Sequence, residues 1–121
     1  MKREILFKAK RVDNGKWIEG FLTKKGTYGG VFCIARSHGE GGFMEWGSTV
    51  VIPETVCQFT GLTDKNGNKI FEGDILQDGI TVIYRQDLAS FALTKEGWAY
   101  DHYFGEAIDP GQCEIIGNIH E

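Results

Sequence analysis

The chain has 121 residues, 41% of them hydrophobic and 25% charged, which suits one domain that buries roughly two-thirds of its unfolded surface without staples. A formal net charge of −4 is the wrong sign for a protein that grips nucleic acid through its phosphates, so nucleic acid is a disfavoured partner. Three scattered cysteines, Cys33, Cys57 and Cys113, make neither a disulfide framework nor a CxxC motif. No apolar run reaches the roughly 18 to 20 residues of a membrane span, and charges stand where a signal peptide is apolar. Together these features predict a cytoplasmic protein with reduced thiols and no membrane partner.

Seventeen glycines against two prolines predict many turns between short strands. Residues 4–12 and 17–23 flank Asn14-Gly15, a pair that takes the positive-φ positions of a type I′ hairpin turn at least cost. A two-residue loop there pairs Phe7 with Leu22, Ala9 with Gly20 and Arg11 with Ile18 on a core face that Ile5 extends, and Lys10 with Glu19 on the other. The basic residues concentrate in this half, as Lys2, Arg3, Lys8, Lys10, Arg11, Lys16, Lys24 and Lys25, and the C-terminal half is acidic. On strands such lysines read as a solvated face or edge protection.

Residues 31–35 are apolar and β-branched enough for a strand. From 36 to 48 the order signal weakens: Gly39, Gly41, Gly42 and Gly47 surround Phe43 and Trp46 on a loop where a functional surface is naturally sought. Strand character resumes at 49–52 and stops at Pro53, which with Glu54 suits a helical stretch of one or two turns. Asn66-Gly67 then predicts a second two-residue hairpin loop, with Asp64 facing Lys69, Leu62 facing Phe71 and Thr63 facing Ile70. Gly73-Asp74 makes a turn into a strand at 75–77, and Asp78-Gly79 a third hairpin turn back through 80–84. A turn at 85–89, a strand at 90–94, Trp98-Ala99-Tyr100, an irregular stretch and a last strand at 113–120 complete the chain. No window keeps helical periodicity for three turns, so the fold class is all-β and mainly antiparallel, with hairpins and one or two short helical turns. It reads as a single domain, or as two small β subdomains at about 1–52 and 53–121 that share a core.

Several words of the sequence stand out in order: Arg3-Glu4-Ile5 with Phe7-Lys8-Ala9, Trp17, Pro53-Glu54-Thr55-Val56, Gln58-Phe59-Thr60-Gly61-Leu62, Asp64-Lys65-Asn66-Gly67, Ile70-Phe71-Glu72-Gly73-Asp74-Ile75 and Ile116-Gly117-Asn118-Ile119. In these words the chain resembles the YopX family of phage and prophage proteins across its length. The resemblance implies an all-β fold with SH3-like barrel character and work inside a bacterial host. It implies no reaction and supplies no catalytic residues. Cys57 stands where a small residue is expected and His120 where an aromatic is, both as packing variation, and residues 23–49 carry no family word.

Asp64, Asn66 and Asn68 begin with the alternate-oxygen spacing of a calcium loop, but Lys69 and Ile75 stand where glycine and a bidentate glutamate are needed. His38 with Glu40, and His102 near Asp101 and Asp109, lack the imidazole repetition of a zinc site, so no metal and no cofactor is expected. Cys57 between Val56 and Phe59 reads as a buried structural thiol. The aromatic residues exceed what one face of a small barrel hides, and Phe43, Trp46, Trp98 and Tyr100 are the candidate interaction surface. The expected function is non-enzymatic: an accessory protein that binds an unknown host or phage protein or forms a homo-oligomer. The alternative is a nucleic-acid-associated small β-barrel.

Overall fold

A computed structural model describes residues 5–25, 31–35, 49–104 and 108–121. The strands are β1 (Phe7–Lys10), β2 (Trp17–Lys25), β3 (Val31–Ala35), β4 (Thr49–Val50), β5 (Cys57–Thr63), β6 (Lys69–Phe71), β7 (Asp74–Leu76), β8 (Thr81–Arg85), β9 (Ser90–Thr94) and β10 (Ile115–Asn118). Every ladder is antiparallel. Helical structure among the described residues is confined to 3-10 turns at Pro53–Thr55, Gln77–Gly79 and Pro110–Gln112, so the all-β class holds. Among the same residues no helix is long and apolar enough to cross a membrane. The chain divides into two compact units, Met1–Gln58 and Phe59–Glu121.

In the first unit β1 to β4 pair in chain order, and β1 also takes the first residues of β5 on its other edge. Ala9, Ile18, Ile34 and Val51 are buried together, with Phe7, Leu22, Phe32 and Val56 packed on them. This is the predicted core face, although Ile5 is 60% exposed and does not extend it. The register differs from the expectation: Phe7 faces Gly20, Ala9 faces Ile18, Lys8 faces Glu19 and Lys10 faces Trp17. Arg11 N–H donates to Lys16 O and Gly15 N–H to Arg11 O, which makes a four-residue loop at 12–15. Gly15 alone of the Asn-Gly pair has positive φ, and the Asn14 side chain instead accepts from Lys16 N–H.

After β4 the chain returns to β1. Val12 N–H donates to Val50 O, Ile52 N–H to Lys10 O, and Arg11 bridges Val51. The sheet thus curls back on its first strand through a single-residue bridge, and among the described residues its ladders do not close into a barrel. Thr55, on the 3-10 turn that Pro53 opens, secures this return: its hydroxyl donates to Ile52 O at 2.7 Å and accepts from Lys10 N–H at 2.9 Å.

The second unit holds a sheet in the order β10-β7-β8-β9 and the β5-β6 hairpin. Ile70, Leu76, Ile80, Val82, Leu93 and Cys113 form its buried cluster. The loop at 65–67 has three residues, not two. Gly67 N–H donates to Asp64 O and Asp64 N–H to Asn68 O, so Thr63 faces Lys69 and the predicted Asp64 to Lys69 pairing is replaced. A further shift, with Gly61 at φ 89°, sets Phe59 opposite Phe71, where Leu62 was expected. Asp78 and Gly79 have φ of 64° and 76°, the two positive values of a type I′ turn.

Two buried aspartates tie local turns to distant backbone. Asp64 Oδ1 accepts from Asn66 and Asn68 N–H, both at 2.9 Å, and Oδ2 from Ile115 N–H at 3.3 Å. Asp74 Oδ2 accepts from Phe71 N–H at 2.7 Å, and Oδ1 from the Asn118 side-chain amide at 2.9 Å. Between them Gly73, at φ 87°, donates to Val82 O and accepts from Ile119 N–H. Burial pushes the Asp64 carboxyl up, but the N–H groups of Asn68, Ile115 and Asn66 together outweigh it and hold it below the ordinary carboxylate range.

Gly73→Ala is expected to destabilise the fold by about 1–3 kcal/mol, because a left-handed backbone adds its cost to a Cβ at 3.3 Å from Ile119 Cγ1. Gly15→Ala, with nothing within 4 Å, carries the backbone cost alone; equal urea midpoints for the two variants would contradict this. A depressed folded pKa means that the Asp64 carboxylate stabilises fully above the unfolded value of about 4 and loses its effect as pH falls through the folded value. Asp64→Asn is expected to cost about 1–3 kcal/mol at neutral pH. Its gap from the unmodified protein should narrow below about pH 4; a gap that stays constant on acidification would refute the assignment.

Candidate interaction surface

In the second unit the turn after β9 delivers Trp98, whose N–H donates to Lys95 O and whose ring packs partly against the buried cluster. His102 forms a bridge with Leu93, its N–H donating to Leu93 O at 2.9 Å and its carbonyl accepting from Leu93 N–H at 2.6 Å. Its ring stands edge-on to Trp98, with centroids 4.7 Å apart, and Tyr100 lies tilted at 5.0 Å. Tyr100 is 69% exposed, the highest value among the exposed large hydrophobic side chains of the described residues. Trp98 and Tyr100 therefore belong to one aromatic group, in which Trp98 is the anchor and Tyr100 the displayed ring. Phe43 and Trp46 lie outside the described residues, as does the predicted loop at 36–48.

The display rests on Arg85. Its Nε and Nη2 hold both carboxylate oxygens of Asp87, and its Nη1 donates to Asp101 Oδ2 at 2.9 Å. The hydrogen bonds that Arg85 donates to Asp87 and then to Asp101 raise its pKa, and the same guanidinium holds the Asp87 carboxyl below its ordinary range. One cation shared by two carboxylates leaves this corner net negative. Leu88, in the adjoining turn, and Tyr84, edge-on to Phe91 at 5.2 Å, are 49% and 42% exposed beside it.

In the first unit the Nζ atoms of Lys8 and Lys10 lie 4.6 and 5.5 Å from the Trp17 ring centre, the range of cation–π contact. Arg11 forks onto Asp13 across the hairpin loop, and an open groove nearby is lined by Arg11, Val12, Asp13, Thr49 and Val50.

His38 and Glu40 lie outside the described residues, and the others singled out from sequence are structural in what they touch. Asn66 and Asn68 turn their N–H groups toward the Asp64 carboxylate, the reverse of presenting oxygens to a cation. Among the described residues no group of three or more His, Cys, Asp or Glu side chains is gathered to hold a metal. The Cys57 thiol is buried and donates to Thr55 O. Burial pushes the Cys113 thiol up, and the Asp64 and Asp109 charges push it further, which opposes thiolate formation.

Sequence reasoning missed Arg85 and Leu88, and weighed Asp101 only beside His102 as a metal-like cluster. A signal was present: Arg11-Val12-Asp13 and Arg85-Gln86-Asp87 share an Arg-x-Asp spacing. Both begin four-residue hairpin loops that end on a positive φ, at Gly15 and Ala89. The arginine fork bracing such a loop is one device used twice.

Asp101→Asn is expected to loosen the 100–103 segment, because it removes a carboxylate that Arg85 grips. Hydrogen exchange at Leu93 and His102, each bonded to the other's carbonyl, should quicken severalfold while Leu76 and Val82 in the core stay slow. Unchanged exchange at Leu93 and His102 would show that Arg85 does not hold the segment.

No curated protein matches the chain in sequence. A family model described as YopX protein matches residues 7–121, which span β1 to β10 and include both buried aspartates with their turns. The chain belongs to the YopX protein family.

Proposed function

We propose that this is a non-enzymatic phage or prophage accessory protein that acts in the bacterial cytoplasm through protein–protein contacts, self-association among them. The observation that carries the reading is Tyr100, an amphipathic ring 69% exposed yet held in place by His102, Trp98 and the Arg85 fork. Rigid aromatic side chains give large contact area at low entropic cost, which is why they dominate protein interfaces. The buried carboxylates support the same reading from the other side. Asp64 and Asp74 are engaged with backbone N–H groups and an amide, so the strongest family words serve as scaffold.

A second reading is favoured by one observation, the lysines stacked on Trp17, because cationic and aromatic side chains interleaved on a strand suit a single-stranded nucleic acid. The formal charge of −4 weighs against it.

Light scattering separates these readings. Self-association gives a mass above the monomer that Tyr100→Ala lowers, and a monomer at high concentration removes it. Capture from lysate of induced host cells tests a foreign partner, which should be lost with Tyr100→Ala; a partner retained in full by that variant moves the site elsewhere. Nucleic-acid binding instead gives a gel shift that fades steeply with salt.

A further inference from the structure

The two units carry opposite charge. Residues 1–58 hold nine Lys and Arg against six Asp and Glu, a formal +3, whereas 59–121 hold four against eleven, a formal −7. Each sign has an aromatic focus. Lys8 and Lys10 sit over Trp17 on one face of the β1–β2 ladder. In the other unit Asp87 and Asp101 both hold Arg85, and the residues that adjoin them in the chain, Leu88 and Tyr100, are exposed apolar side chains.

We infer that the Lys8, Lys10 and Trp17 strip of one copy docks on the Asp87, Leu88, Tyr100 and Asp101 patch of a second copy, in a head-to-tail contact. The inference rests on the self-association arm of the proposed function and names its geometry. A second copy is the occupant because charge complementarity is met within one sequence: each surface finds its opposite sign, with apolar area beside it, on the other unit of an identical chain. The two patches differ, so the contact is heterologous. The pair then leaves one patch of each sign unused, and the association continues to a ring or a filament instead of stopping at a two-fold dimer. Partial desolvation of the Lys and Asp heads is tolerable because each meets an opposite charge while Trp17 and Tyr100 bury apolar surface around them.

The experiment uses the full chain and two double variants at exposed or strand-surface positions. Lys8→Glu with Lys10→Glu reverses the strip; Leu88→Ser with Tyr100→Ser removes the apolar part of the patch and leaves the Arg85 fork in place. Sedimentation of the unmodified protein should show a mass that grows with concentration. Raising salt from about 0.1 to 1 M, which shortens the screening length from about 10 to about 3 Å, should weaken association roughly tenfold. Each double variant alone should be monomeric. An equimolar mixture should give a dimer that does not grow further, because only one intact strip and one intact patch remain. That recovery also shows that both variants are folded.

Association of the unmodified protein that ignores salt, or a mixture that stays monomeric while the unmodified protein assembles, overturns the head-to-tail contact and leaves self-association standing. An unmodified protein that is monomeric throughout overturns both. So does a monomer that binds a single-stranded oligonucleotide and loses it on Lys8→Glu with Lys10→Glu, an outcome that assigns the strip to nucleic acid.

Discussion

The second unit depends on the buried carboxylate of Asp74. A carboxyl group on a side chain 1% exposed is tolerable only where hydrogen bonds replace its water, and here Phe71 N–H and the Asn118 amide do so. The requirement fixes three things at once. The chain must turn sharply between Phe71 and Asp74, which places Gly73 in the left-handed region. β10 must lie against β7 so that Asn118 arrives opposite Asp74. Asn118 must in turn be held, and it is, because its side-chain Oδ1 accepts from His120 N–H.

Asp64 repeats this logic one hairpin earlier, closing its own loop and reaching Ile115 N–H. The two family words that contain these aspartates, and the one that contains Asn118, thus describe a single polar framework around an apolar cluster. Gln77 adds to it by accepting from Glu114 N–H at 2.8 Å. Conformational specificity comes from this framework, since apolar side chains such as Ile70 and Leu93 fill the space under many registers while a buried carboxylate accepts few.

What the sequence disclosed follows the range of each interaction. Strand character, the Asp78-Gly79 turn and the buried faces of β1 and β2 are local properties, and all were legible. Loop length was not. At 12–15 the loop is two residues longer than read, and because side chains alternate with period two, the even error left Ala9 and Ile18 on the correct face. At 65–67 it is one longer, and the odd error exchanged the partners of Asp64 and Phe71. The cause in each case is a side chain that competes for turn N–H groups, Asn14 in the first and Asp64 in the second, which an Asn-Gly rule does not weigh. The Arg85 clasp on Asp101 spans 16 residues and joins segments with no shared pattern, so only the fold reveals it.

The distances along the chain have a kinetic meaning. Asp74 and Asn118 are 44 residues apart, and Asp64 and Ile115 are 51. Closing loops of that length costs on the order of 3 kcal/mol in chain entropy before either contact gives anything back. The hairpins around Asn66 and Asp78 can form early, being local, but the sheet edge they await is made late. A nascent chain that has reached residue 110 therefore carries two carboxylates that have met their local N–H groups but not their distant partners, and the unit closes only when the segment that supplies those partners has left the ribosome.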